Sequence, residues 1–133
     1  MKATARRRRG FTHEVEIEGG HSLVIDEPAE SGGADEGPSP TRTLAATLAA
    51  CTAITVEMYA DRKGWQLGDV EVEADLHSGP KSSVDSFTVI VRVPEPLDED
   101  QQQRILVIAG KCPVHRALSA ETEVSIHDRI ECP

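Results

Sequence analysis

The chain lacks an apolar run of spanning length: the longest, Leu44 to Val56, broken only by threonines, falls short of the roughly 20 residues a membrane helix needs. That run is expected to be a buried helix, and no membrane partner is expected. No secretory leader is visible either, because the basic start runs into Gly10-Phe11-Thr12-His13-Glu14 instead of an apolar stretch. The expected location is cytoplasmic. Only three cysteines are present, which argues against a disulfide framework and leaves redox chemistry, metal binding or no role at all. Positive charge is also scarce. Fourteen Lys and Arg face 23 Asp and Glu, a net charge of −9, so phosphate polymers and anionic surfaces are repelled by most of the chain. The exception is Arg6-Arg7-Arg8-Arg9. Residues 1–9 are read as a solvated basic tail with no requirement for order, and nucleic acid is not an expected partner. The 133 residues bound one domain, 1–133.

What is present is a legible alternation of patterns. Phe11, His13, Val15 and Ile17 alternate with Thr12, Glu14, Glu16 and Glu18, the period of a half-buried strand. Gly19-Gly20 and a second extended run, His21 to Ile25, predict a hairpin. Residues 27–40 are an acidic loop rich in Gly and Pro. Ser39 caps a long helix with Pro40 at its first position; Arg62-Lys63 suit its end and Gly64 stops it. Two further strands follow, around Val70–Leu76 and Phe87–Val93. Asp98 and Gln101 form a capping-box pattern before a second amphipathic helix. Gly110-Lys111-Cys112-Pro113 breaks that helix and opens a short third one through Leu118. Val124 and Ile126 suggest a last strand. The class is α+β, with helices layered on antiparallel strands. The long helix is apolar almost all round, with alanines at 45, 46, 49, 50 and 53 that admit a close neighbour. A second subunit is the economical cover, which predicts a homodimer.

Cys51 sits mid-helix among small apolar residues, twelve positions beyond the cap and out of reach of the helix dipole. By position alone it reads as a small packed hydrophobe, and a cation or donor from elsewhere is needed to make it a nucleophile. Cys112 lies at a helix junction with Lys111, His115 and Arg116 close by, a setting that favours a reactive thiol. The spacing of Cys112 and His115 also fits two metal ligands, but no second close pair completes a site, so no metal is expected. Cys132 reads as a free tail thiol.

Two cysteine motifs in this order resemble a known family. Gly37-Pro38-Ser39-Pro40-Thr41 followed by Leu44-Ala45-Ala46-x-x-Ala49-Ala50-Cys51-Thr52-Ala53 looks like the first cysteine helix of the OsmC/Ohr proteins, the osmotically inducible and organic hydroperoxide resistance family. Lys111-Cys112-Pro113-Val114-His115 with Ala117-Leu118 resembles the second motif. His21-x-Leu-Val-Ile-Asp26-Glu27-Pro28 and Arg62-Lys63-Gly64-Trp65 fit its OsmC-like branch. The resemblance implies an intertwined homodimer, with antiparallel sheets packed around long central cysteine-bearing helices. It also implies a thiol-dependent peroxidase that reduces organic hydroperoxides. Cys51 would become a sulfenic acid, Cys112 would resolve it as a disulfide, and an external dithiol such as a lipoyl group would reduce the bridge. No cofactor is implied. Leu48, Thr52 and Arg42 are the candidate substrate contacts.

The family uses an arginine near the first strand to activate the first cysteine and a glutamate at the helix start to orient that arginine. Arg9 is the expected activator, with Arg8 and Arg42 as alternatives. The glutamate is missing, because the helix opens Pro40-Thr41-Arg42-Thr43; Asp26 and Glu27 are the carboxylates available to replace it. The competing reading is a non-catalytic dimer that binds a small apolar or electrophilic ligand near Cys51.

Overall fold

A computed structural model describes residues 1–121 and 123–132. Among the described residues five strands and three α-helices follow one another as β1 (Ala3–Arg9), β2 (Thr12–Ile17), β3 (His21–Ile25), α1 (Pro40–Lys63), β4 (Glu71–Ser78), β5 (Val84–Arg92), α2 (Glu99–Ala109) and α3 (Pro113–Leu118). The strands form a three-stranded sheet, β1-β2-β3, and a two-stranded β4-β5 sheet. The chain divides into two compact units, residues 1–47 with 74–88 and residues 48–73 with 89–133.

The first unit corrects the reading of the basic tail. Residues Ala3–Arg9 are a strand, antiparallel to β2 with Ala5 opposite Val15 and Arg6 opposite Glu14. Charge explains the difference. Arg6 pairs with Glu16 and Arg8 with Glu14, so the arginines that looked like a free arm lie along the acidic face of β2. The hairpin between β2 and β3 forms as expected, with His13 opposite Ile25 and Ile17 opposite His21. Gly19 and Gly20 both take positive φ in its turn.

The acidic loop after β3 is not loose. Asp26 is 1 % exposed, and its carboxylate accepts bonds from Thr12 Oγ1 (2.9 Å) and from the backbone amides of Glu27 (2.7 Å), Ala34 (3.2 Å) and Glu36 (3.2 Å). The loop is drawn so tight that a Cβ at Gly33 would stand 1.8 Å from the Glu27 carbonyl oxygen, and one at Gly37 would stand 2.2 Å from that of Val24. Only glycine fits there.

α1 begins and ends where its caps predict. Ser39 Oγ accepts the Arg42 amide at 3.4 Å, and Gly64 at φ +69° ends the helix while the Trp65 amide closes onto the Ala60 carbonyl at 3.0 Å. In the second unit the buried stripe Leu48, Thr52, Val56 and Ala60 recurs every fourth residue. Val56 and Ala60 join Leu67, Ile105 and Ala109 as the core, bordered by Trp65, Val70, Val91, Val93 and Leu97. Over its 24 residues α1 is long and apolar enough to cross a bilayer, although the apolar run from Leu44 to Val56 looked too short. The run undercounts because Met58, Tyr59 and Ala60 extend the apolar character past Glu57. The core helix of a water-soluble protein has the same composition.

α2 opens on both bonds of the capping box: the Gln101 amide donates to Asp98 Oδ1 (2.8 Å), and the Asp98 amide donates to Gln101 Oε1 (3.0 Å). The last strand expected around Val124 and Ile126 is absent. Residues 123–132 carry no regular element, and Val124, Ile126 and Ile130 are 58, 80 and 86 % exposed. Alternating side chains make a segment suitable for a strand, but a strand exists only where a sheet edge accepts its hydrogen bonds.

Candidate functional site: a paired thiol at a helix start

Cys112 is the N-cap of α3, and its position explains the Cys-x-x-His spacing. Pro113 fills the first helical turn, where no amide hydrogen is needed, and Cys112 Sγ accepts the His115 amide at 3.2 Å. The sulfur is fully buried and also accepts from Thr52 Oγ1 at 3.8 Å. Among the described residues no group of three or more His, Cys, Asp and Glu side chains is gathered as a metal ion would require.

Cys51, one residue before Thr52 on α1, is half-buried, and Cys112 is near enough to act on its thiol. Burial pushes the Cys51 thiol above its ordinary value, and the bond and charge of Cys112 add to that; the Val114 amide and the Thr55 hydroxyl act in the opposite direction. Cys112 was the expected partner of Cys51, whereas Val114 and Thr55 were not legible as groups that act on it. One signal was available. A cysteine N-cap followed by proline leaves the amides of residues 114 and 115 unclaimed by the helix, so they must find acceptors nearby. Cys51 and Cys112 are both free thiols, one half-buried and one fully buried.

The other expected site residues are placed as follows. Leu48 is 2 % exposed on the same stripe as Thr52, and Thr52 itself is fully buried. In the first unit, Arg42 is exposed and lines a hollow of about 400 Å³ with Thr41, Ala45, Ala46 and the β4 residues Ala74, Asp75 and Leu76. Arg9 is held by Glu36, whose hydrogen bond and charge raise its already high pKa. The carboxylate that meets Arg9 is therefore Glu36, a residue the sequence did not single out. Asp26 is committed instead to Thr12 and to the loop amides. Cys132 is exposed.

Residues 32–127 match the family described as OsmC-like protein. The chain belongs to the OsmC-like family. Its fold is that of solved OsmC/Ohr structures, an α+β arrangement with antiparallel sheets. A Psychrobacter arcticus protein assigned to osmotic stress and detoxification response shares 18 % identity at a TM-score of 0.80, over 88 % of this chain and 87 % of that one. An OsmC-like protein from Mycoplasma pneumoniae shares 17 % at 0.77, over 89 and 86 %. The organic hydroperoxide resistance protein OhrB of Bacillus subtilis shares 22 % at 0.60, over 88 and 90 %. At these identities the likeness establishes the fold alone. Comparison with curated proteins gives no match.

Proposed function

We propose that this OsmC-like protein is a thiol-dependent peroxidase acting on organic hydroperoxides through Cys51 and Cys112. The observation that carries the reading is that Cys112, the buried cap of α3, is bonded to Thr52, the residue directly after Cys51, in a family that includes organic hydroperoxide resistance proteins. In the first step the Cys51 thiolate attacks the O–O bond of the peroxide. An S–O bond forms, the O–O bond breaks, sulfur gives up two electrons and the alkoxide leaves to take a proton as the alcohol. In the second step Cys112 attacks the sulfenic sulfur. The S–S bond forms, the S–O bond breaks, and hydroxide leaves with the thiol proton as water. An external dithiol then restores both thiols by exchange. The difference in burial supports the order: Cys51 is half-buried, and Cys112 is fully buried.

The upward push on the Cys51 thiol favours a second reading, a non-catalytic dimer that holds a small apolar or electrophilic ligand near Cys51. One experiment separates the two. Purified protein with dithiothreitol or dihydrolipoamide should consume cumene hydroperoxide, and Cys51→Ser should abolish this. Unchanged consumption by the variant, or no oxygen added to Cys51 after brief exposure to peroxide, would sink the peroxidase.

The same proposal includes a homodimer. The buried residues of α1 are Leu48, Thr52, Val56 and Ala60, whereas Ile54 and Met58 are more than half exposed and the apolar tail residues Val124, Ile126 and Ile130 are uncovered. A second copy of the chain, offering an equivalent helix and an open sheet edge, would cover both. Light scattering should return twice the chain mass, and removal of residues 123–133 should weaken the dimer. A monomer at micromolar concentration would contradict this.

A further inference from the structure

Five threonines lie along α1, at positions 41, 43, 47, 52 and 55. Thr43, Thr47 and Thr55 rest where helical threonines usually do. Each donates its hydroxyl to the carbonyl four residues back, on Ser39, Thr43 and Cys51, at 2.9, 2.8 and 2.7 Å. Thr52 departs from them. It is fully buried, and its hydroxyl donates across the fold of the second unit to Cys112 Sγ. A local bond to its own helix was available to it as it was to its neighbours, so its orientation toward the sulfur is a tertiary choice.

We infer that Thr52 is a positioning residue for disulfide closure, its hydroxyl holding Cys112 Sγ in the orientation from which that sulfur attacks Cys51. The inference rests on the peroxidase reading above. Thr52 follows Cys51 directly on α1, so a bond from Thr52 to Cys112 ties the backbone that carries the first sulfur to the second sulfur. The His115 amide, at 3.2 Å, is the other donor on that sulfur. Two donors from different elements fix where its lone pairs point, and each favours the negative charge the sulfur carries during attack. The step itself forms the Cys51–Cys112 S–S bond, breaks the sulfenic S–O bond and releases water. Thr52 neither gains nor loses atoms. Because Thr52 bonds to Cys112 and not to Cys51, its effect should be larger on the second step than on the first.

The test is a single turnover of the full chain with cumene hydroperoxide, comparing wild type, Thr52→Val and Thr52→Ser. Sulfenic acid on Cys51 is followed by dimedone capture, disulfide by loss of free thiol, and thermal unfolding checks the fold. Relative to its own rate of sulfenic acid formation, Thr52→Val should close the disulfide about tenfold more slowly than wild type, the scale of one lost hydrogen bond to a thiolate, and Thr52→Ser should recover most of that loss. A purely structural role predicts the opposite ranking, since valine keeps the branched volume and serine leaves a void. Disulfide closure at the wild-type rate in Thr52→Val, or slower closure in Thr52→Ser than in Thr52→Val, overturns the inference. If Thr52→Val does not fold, Thr52→Ser against Thr52→Ala isolates the hydroxyl, and equal closure rates overturn it. A wild-type protein that never forms sulfenic acid on Cys51 overturns the peroxidase reading and this inference with it. Sulfenic acid with no effect of the hydroxyl overturns the role of Thr52 alone.

Discussion

Replacing Ile105 by alanine deletes three carbons from the centre of the second unit. Ile105 is 4 % exposed on α2 and packs with Val56, Ala60, Leu67 and Ala109. Its neighbours come from α1, α2 and the segment after α1, so the site cannot collapse onto a single flexible loop, and the loss should be about 2–5 kcal/mol. The consequence reaches the thiol pair. Cys112 lies three residues beyond Ala109 at the end of α2 and is fully buried, so an alkylating reagent enters only when this region opens. At tenfold per 1.4 kcal/mol, the open population rises by roughly 30-fold to a few thousand-fold. Reduced protein would be labelled with iodoacetamide at fixed pH and protein concentration, and each cysteine peptide read by mass. Cys132, which is exposed, should label at one rate in both proteins and serves as the internal control. Cys112 labelling at the wild-type rate, together with a urea unfolding free energy lowered by less than about 1 kcal/mol, would refute the packing argument.

Two further outcomes follow from the charged groups. Because burial raises the Cys51 thiol above its ordinary 9.0, its alkylation rate should still be climbing as pH passes 9.0; a plateau below that pH would show that another group ionises it. Burial works against the charge of Asp26, but the amides of Glu27 and Glu36, the Thr12 hydroxyl and the Ala34 amide outweigh it and hold the carboxyl below its ordinary 3.8. A lowered folded value contributes stability that is present above 3.8 and lost as pH falls through the folded value. Asp26→Asn should therefore be less stable than wild type at neutral pH, with the gap closing on acidification. Urea titrations at neutral pH and at about pH 3 read this directly, and a gap that persists undiminished in acid would contradict it.

Much of the architecture was readable because the signals are local. A cap, a helix stop and a capping box involve residues within five positions of each other, so Ser39, Gly64 and the pair Asp98 and Gln101 marked their boundaries correctly. The period of two in β2 placed His13, Val15 and Ile17 as half-buried, but it failed at the strand's start, where Phe11 is exposed and Thr12 is buried against Asp26. Where a pattern needed a partner to become structure, the reading failed in both directions. The arginine run had a partner in the acidic face of β2 and became a strand, and the alternating tail had none within the described chain and stayed irregular.

The two cysteine motifs and their order were enough to identify the family, and the residue types around Cys51 were enough to call its surroundings apolar. Which groups touch its sulfur was a different matter. Val114 and Cys112 reach Cys51 from more than sixty residues away, and Thr52 turns its hydroxyl from its own helix toward Cys112. Glu36 meets Arg9 across 27 positions because Asp26 gathers the intervening loop amides. Local sequence fixes the φ and ψ of a cap or a turn, since the competing energies lie within a few bonds. The reactivity of a thiol depends on desolvation and on donors that arrive only when distant segments pack, and no spacing along the chain encodes that distance.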